Sequence, residues 1–238
     1  MISRFWIDNK SSRDFGLYID TPNVYESAAA DVEYTSVPGR NGDLIISNNR
    51  YANVTVSYPT SLYAKDRDEM SYKIGAIKAW LNSSRTYRQL TDTYNRGYFR
   101  MASFSESISP TITQNTANFD ISFNCKPFMY RNDGEEWITL SAENNIVNPE
   151  AFVSKPIIQA EVTNAIGLVS INNATLRIIN ATGGTMNITI DCETLNAYNG
   201  AENMNKYINS ADYALNSGEN IITVSGANVK IKPRWRRL

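Results

Sequence analysis

Apolar and polar residues alternate with a period of two along most of this chain. Val54, Val56 and Tyr58 are separated by Thr55 and Ser57 and followed by Pro59, which reads as a half-buried strand ended by the proline. Phe119, Ile121, Phe123 and Cys125 alternate with Asp120, Ser122 and Asn124, a second strand with one core face. Shorter apolar runs lie at residues 2–7 and 15–19, and Thr21-Pro22-Asn23 interrupts the second. Residues 31–37 and 43–47 predict a strand on each side of a turn-rich segment. Residues 87–90 and 98–104 predict two more. Residues 105–118 are polar and rich in Ser and Thr, and read as a long exposed hairpin tip or loop.

One segment breaks the period. Met70, Ile74, Ile77 and Leu81 recur at four, three and four residues, one apolar stripe of a helix. Asp66 is its expected cap, Asp68 and Glu69 suit the positive end of the helix dipole, and Asn82-Ser83-Ser84 closes it. The helix is therefore predicted over about 66–84, with Trp80 beside the stripe.

After Asn132-Asp133-Gly134, residues 131–154 read as a connector whose run Trp137-Ile138-Thr139-Leu140 donates the first strand of a second unit. Short apolar runs follow at 157–158, 168–171, 176–178, 186–190, 221–224 and 229–231. Asn172-Asn173, Gly183-Gly184 and Ser217-Gly218 separate several of them. Many short strands with regular turns predict a two-sheet sandwich. The expected class is thus mainly β with one helix on the first domain, residues 1–131, and a β-sandwich over residues 132–238.

The densest turn chemistry is Ser36-Val37-Pro38-Gly39-Arg40-Asn41-Gly42-Asp43-Leu44. Pro38 presets one corner and Gly39 can take the positive φ that a type II turn needs next. Asn41-Gly42 is a signal for a two-residue hairpin turn. Together they predict a rigid knuckle with Arg40 and Asp43 at its tip. This V-P-G-R-x-G-D-L segment resembles the N-terminal domain of siphophage distal tail proteins. The succession Pro156-Ile157-Ile158, Ile188-Thr189-Ile190-Asp191-Cys192-Glu193, Tyr198-Asn199-Gly200, Asn203-Met204-Asn205, Gly218-Glu219-Asn220-Ile221-Ile222 and Pro233-Arg234-Trp235 resembles that family's galectin-like C-terminal domain. The resemblance runs over nearly the whole chain. It implies a homohexameric ring at the tail tip of the virion. That ring joins the tail tube protein to the hub and possible receptor-binding proteins, with the tape measure protein nearby. It also implies a protein folded in the host cytoplasm.

Composition narrows the chemistry. The 238 residues contain no histidine, which removes the usual general base and the commonest metal ligand, and no catalytic triad or phosphate loop is present. No enzymatic activity and no cofactor are expected. The formal net charge is −1, which favours neither specific nucleic-acid binding nor an anionic membrane. No apolar run reaches the length of a membrane span, and residues 1–6 lack the basic and apolar segments of a signal peptide. Asn-x-Thr triplets at Asn53, Asn173, Asn180 and Asn187 accordingly read as composition. Cys125 and Cys192 end alternating apolar runs in different predicted domains, and both are expected buried and unpaired.

Asp191 and Glu193 alternate onto one side of a strand end, but two carboxylates fall short of the six to eight oxygens of a calcium site. They are expected to bond backbone amides or a basic neighbour. Lys230, Lys232, Arg234, Arg236 and Arg237 surround Trp235; salt bridges, within the ring or to a neighbour, are expected there. The candidate interaction residues are thus Arg40, Asp43, Arg234, Trp235 and Arg236. The alternative is a carbohydrate-binding adhesin module. Against it, galectin sugar sites rest on a set that includes a histidine.

Overall fold

The computed structural model describes residues 3–238; Met1 and Ile2, the start of the first apolar run, lie outside them. Cα packing divides the chain into residues 1–129 together with Leu238, and residues 130–237.

The first unit is built around one large antiparallel sheet. Its main path runs Lys10–Ser11, Phe5–Ile7, Arg88–Asp92, Tyr98–Ser103, Thr116–Arg131, Val54–Tyr63, Leu17–Ile19. Thr116–Arg131 and Val54–Tyr63 pair antiparallel over ten registered positions, from Thr116 opposite Tyr63 to Cys125 opposite Val54. The apolar face of this pair (Val54, Val56, Tyr58, Phe119, Ile121, Phe123, Cys125) is buried, as the period of two demands. Pro59 does not end its strand. It lies beside the end of the short neighbour Leu17–Ile19, where its carbonyl accepts from the Asp20 N–H at 3.0 Å. The strand continues to Tyr63.

The single α-helix among the described residues is Arg67–Leu81, capped by the Asp66 side chain, which accepts from Glu69 N–H at 2.8 Å. It ends three residues short of Ser84 because the Asn82 amide and the Ser83 hydroxyl turn back onto the Lys78 and Trp80 carbonyls. Met70, Ile77, Trp80 and Leu81 face the core, while Ile74 is only half-buried. Trp80 lies within the stripe, stacked on Phe15 at 4.2 Å and on Phe5 at 5.7 Å between ring centres. Residues 105–118 are not wholly an exposed loop. Ile108 is buried in the core, and Thr111–Thr113 folds back on Thr116–Asn118 with Gln114 in the left-handed region.

The second unit holds two sheets. One runs Ile138–Leu140, Ala227–Lys232, Ile157–Val162, Met186–Asp191, Asn196–Asn199, Glu202–Asn203. The other runs Glu143–Asn148, Gly218–Ser225, Ile166–Ile171, Ala174–Ile179. Ile158, Ala160, Val162, Ile188, Ile190, Val229 and Ile231 of the first meet Val169, Ile171, Leu176, Ile178 and Ile222 of the second in one core. This is a β-sandwich with alternating inward positions.

Candidate functional site

Ala30–Ser36 and Asp43–Tyr51 form a sheet of their own, with no third strand among the described residues. The ribbon leaves the first unit at a root where Ala52 N–H donates to the Ala29 carbonyl and Tyr51 meets the Phe128 ring edge to face at 5.6 Å. A bulge follows at once. Asp31 faces three residues of the opposite strand, since Ala30 pairs with Tyr51 and Val32 with Ser47. Asn49 takes φ 53° there, a conformation asparagine tolerates. The Asp31 carboxylate clasps the bulge by accepting from Asn48 Nδ2 at 3.1 Å and from Arg50 Nε. Those two bonds, Asn48 first, hold its carboxyl below the usual carboxylate range.

Beyond the bulge every residue from Glu33 to Arg50 is exposed. Opposite residues in an antiparallel pair share a face. Tyr34 and Ile45, directly paired, therefore stand on one face with Val32 and Asp43, and Leu44 and Ile46 stand on the other with Glu33 and Thr35. Tyr34 is 66% exposed and Ile45 60%. An isolated two-stranded hairpin is marginally stable in water, and clustered exposed apolar side chains mark an interaction site. Both observations describe an arm meant to be covered.

The tip is the knuckle read from the sequence. Arg40 N–H donates to the Val37 carbonyl at 3.1 Å, and Gly39 has φ 79°, a type II turn with Pro38 at its first corner. The expected two-residue turn at Asn41-Gly42 is not formed. Such a turn needs positive φ at both residues, and only Gly42, at 81°, has it. The register closes at Ser36 opposite Asp43, so the loop spans six residues. Among the described residues the Arg40 and Asp43 side chains make no ion pair or hydrogen bond; they project with the arm.

The other three predicted residues lie in the second unit and are engaged within it. Arg234 forks onto both carboxylates of the strand end. Its Nη1 donates to Asp191 at 2.9 Å and its Nη2 to Glu193, and the guanidinium lies 5.8 Å from the Tyr130 ring centre. Burial opposes its charge, but Glu193 and Asp191 outweigh that and raise its pKa. Glu193 also accepts from the Tyr130 hydroxyl at 2.9 Å, and burial first, then Glu193, pushes that phenol's pKa up. Asp191 accepts from the Glu193 amide at 2.9 Å. Arg236 reaches Glu193 at 3.8 Å, Lys232 reaches Glu135 at 3.6 Å, and Trp235 is buried in the sandwich core. These are structural bonds within one chain. Among the described residues no three carboxylate, thiol or imidazole groups gather as a metal site.

Two grooves, one in each unit, also bear on binding. In the first unit a groove of about 1070 Å³ runs between the helix and the Thr111–Thr116 turn, lined by Met70, Ile74, Ile112, Arg67 and Lys78 among others. Ile112, 57% exposed, stands over it with no neighbour to bury it. In the second unit a polar groove of about 330 Å³ is lined by Thr139, Gln159, Glu161, Asn187, Asn228 and Lys230. Tyr34, Leu44, Ile45, Ile46 and Ile112, all exposed, are not among the candidate interaction residues read from the sequence. Their one signal is Leu44-Ile45-Ile46, three consecutive apolar residues that a single buried face cannot absorb.

Residues 10–125 match the family described as phage tail protein RIFT-related domain. The crystal structure of Dit (gp 19.1) of phage SPP1, described as a paradigm of the hub adsorption apparatus in phages infecting Gram-positive hosts, is similar over 97% of this chain and 98% of its own. The TM-score is 0.76 at 11% identity. A chain of the phage P2 baseplate in its activated conformation with Ca is similar over 100% and 99% at TM-score 0.52 and 10% identity, and the form with Sr gives 0.51. Among curated proteins no sequence matches.

Proposed function

We propose, from the match of residues 10–125 to the phage tail RIFT-related domain and the fold similarity to the SPP1 Dit protein, that this chain is a structural ring component of the tail tip. Six copies close into a ring through the first unit, and the second unit faces outward. The ring joins the tail tube to the hub or baseplate that carries host-recognition proteins. Its work is assembly, not catalysis.

The observation that supports this best is the arm. A two-stranded ribbon carrying Tyr34, Leu44, Ile45 and Ile46 into solvent is a liability in a monomer and an asset in an assembly. Native mass spectrometry of the purified protein tests the reading. A six-copy species is expected; a monomer at every concentration and salt overturns it.

A second reading rests on the polar groove of the sandwich, whose amides, Thr139 hydroxyl and Glu161 carboxylate suit a saccharide. It would make the chain an adhesin module. A glycan array separates the two: retention of any glycan that is lost in Gln159→Ala favours the adhesin.

A further inference from the structure

A closed ring of identical subunits needs two different, complementary patches, because each subunit meets its neighbours head to tail. Among its described residues the first unit has a projecting apolar element, the arm, and a concave apolar element, the groove beside the helix. Their chemistry matches. On the arm, the Tyr34 and Ile45 face carries Asp43 two residues along the strand from Ile45, a separation of about 7 Å. In the groove, Lys78 stands one helical turn beyond Ile74, about 6 Å away. Asp43 and Lys78 are both without a side-chain partner among the described residues. Laying Ile45 against Ile74 and Ile112 brings the lone carboxylate onto the lone ammonium.

We infer that the arm of one copy seats its Tyr34 and Ile45 face in the groove formed by the helix Arg67–Leu81 and the Thr111–Thr116 turn of the next copy, with Asp43 paired to Lys78 across the contact. This names the interface within the ring and rests on the ring reading. The contact buries Tyr34, Ile45 and Ile112 together, three side chains that the isolated chain leaves more than half exposed. It is heterologous, so it closes rings rather than dimers. It also gives Asp43, one of the candidates read from the sequence, a defined role.

The test is cysteine cross-linking of the full chain. Cys125 and Cys192 are buried, so new surface thiols report alone. Ile45→Cys chains mixed with Ile74→Cys chains should form a disulfide-linked dimer under mild oxidation, and neither variant should do so by itself. The double variant should give a ladder of covalent oligomers. Self-linking of Ile45→Cys alone would show arms meeting arms and overturn the inference. A six-copy species by native mass without the mixed dimer would also overturn it, while leaving the ring reading intact. A monomer throughout would overturn both. The charge pair is tested separately: Lys78→Glu should weaken assembly about tenfold, and adding Asp43→Lys should restore it. Both residues are exposed, so folding is not at stake; failure of the swap to restore assembly removes Asp43 and Lys78 from the contact.

Discussion

Arg234 gives the sharpest test of how the sandwich holds its C-terminal segment. It is a non-glycine residue at φ 57°, a conformation that costs an L-residue about 1–2 kcal/mol, and it holds two carboxylates at once. Arg234→Ala leaves Asp191 and Glu193, whose side chains are 17% and 22% exposed, facing each other without their main counter-charge. Removing one partner of a fully buried pair costs about 3–5 kcal/mol. These carboxylates keep some contact with water. Asp191 also keeps the Glu193 amide, and Glu193 keeps Arg236. The expected cost is therefore nearer 2–3 kcal/mol on that scale. Arg234→Gly loses the same pairs but has no Cβ to strain, so it should be more stable than the alanine variant by about 1 kcal/mol. Urea unfolding followed by circular dichroism reads both, as midpoints at unchanged slope. Adding Glu193→Gln to Arg234→Ala should recover part of the loss, because the uncompensated charge is gone. Equal midpoints for the glycine and alanine variants would refute the strain argument. An alanine variant within about 0.5 kcal/mol of the parent, the range of an ordinary surface substitution, would refute the claim that the fork holds the sandwich.

Four further outcomes are expected. Gly134→Ala places a Cβ 2.5 Å from the Trp235 backbone nitrogen, which cannot give way as a flexible side chain would. It should cost about 2–3 kcal/mol, whereas Gly184→Ala, with nothing within 4 Å, should leave the melting temperature unchanged. Gly39→Val forces a β-branched residue to φ 79° and should cost about 1–2 kcal/mol of local stability, read as roughly tenfold faster hydrogen exchange through residues 36–43; unchanged exchange and unchanged assembly would refute it. Burial pushes the Cys125 thiol up from 9.0 to about 12 and the Cys192 thiol from 9.0 to about 11, and it raises the Tyr58 and Tyr130 phenols as well. Folding favours all four protonated forms, so their stabilisation is whole below about pH 9 and lost as pH rises toward 12; a urea midpoint that rises across that window would contradict this. Asp31 runs the other way. Its carboxyl is depressed below 3.8 by Asn48 and Arg50, so its clasp is present above that pH and lost as pH falls through the folded value, which faster exchange at the bulge in acid, mimicked at neutral pH by Asp31→Ala, should show.

Much of this fold is legible because period and burial are the same fact seen twice. Phe119, Ile121 and Phe123 alternate in the sequence and lie inside one sheet face in space, since a strand turns successive side chains to opposite sides. The helix is legible for the same reason. What escapes the pattern depends on neighbours. Pro59 looks like a stop, yet the strand beside it is only three residues long. The frequent asparagines look like bare composition. In the sandwich they replace backbone partners: buried Asn220 accepts from the Asn216 amide at 2.8 Å and donates to the Ile146 and Gly218 carbonyls. Nothing in their spacing announces that service, because the groups they satisfy are up to 74 residues away.

The candidate residues divide along the same line. Arg234 and Asp191 are 43 positions apart, and the basic C-terminal cluster reads from sequence as a surface offered to others. In the fold Lys232, Arg234 and Arg236 are spent on the carboxylates of Glu135, Asp191 and Glu193. The arm shows the reverse. Its alternating residues read as one more strand pair of a buried sheet, because a period of two states only that two faces differ, not that either is covered. Coverage requires a third element, and among the described residues no third strand pairs with the arm. The arm is therefore the surface offered to a neighbour in the proposed ring, whereas the fork at Arg234 is satisfied within its own unit.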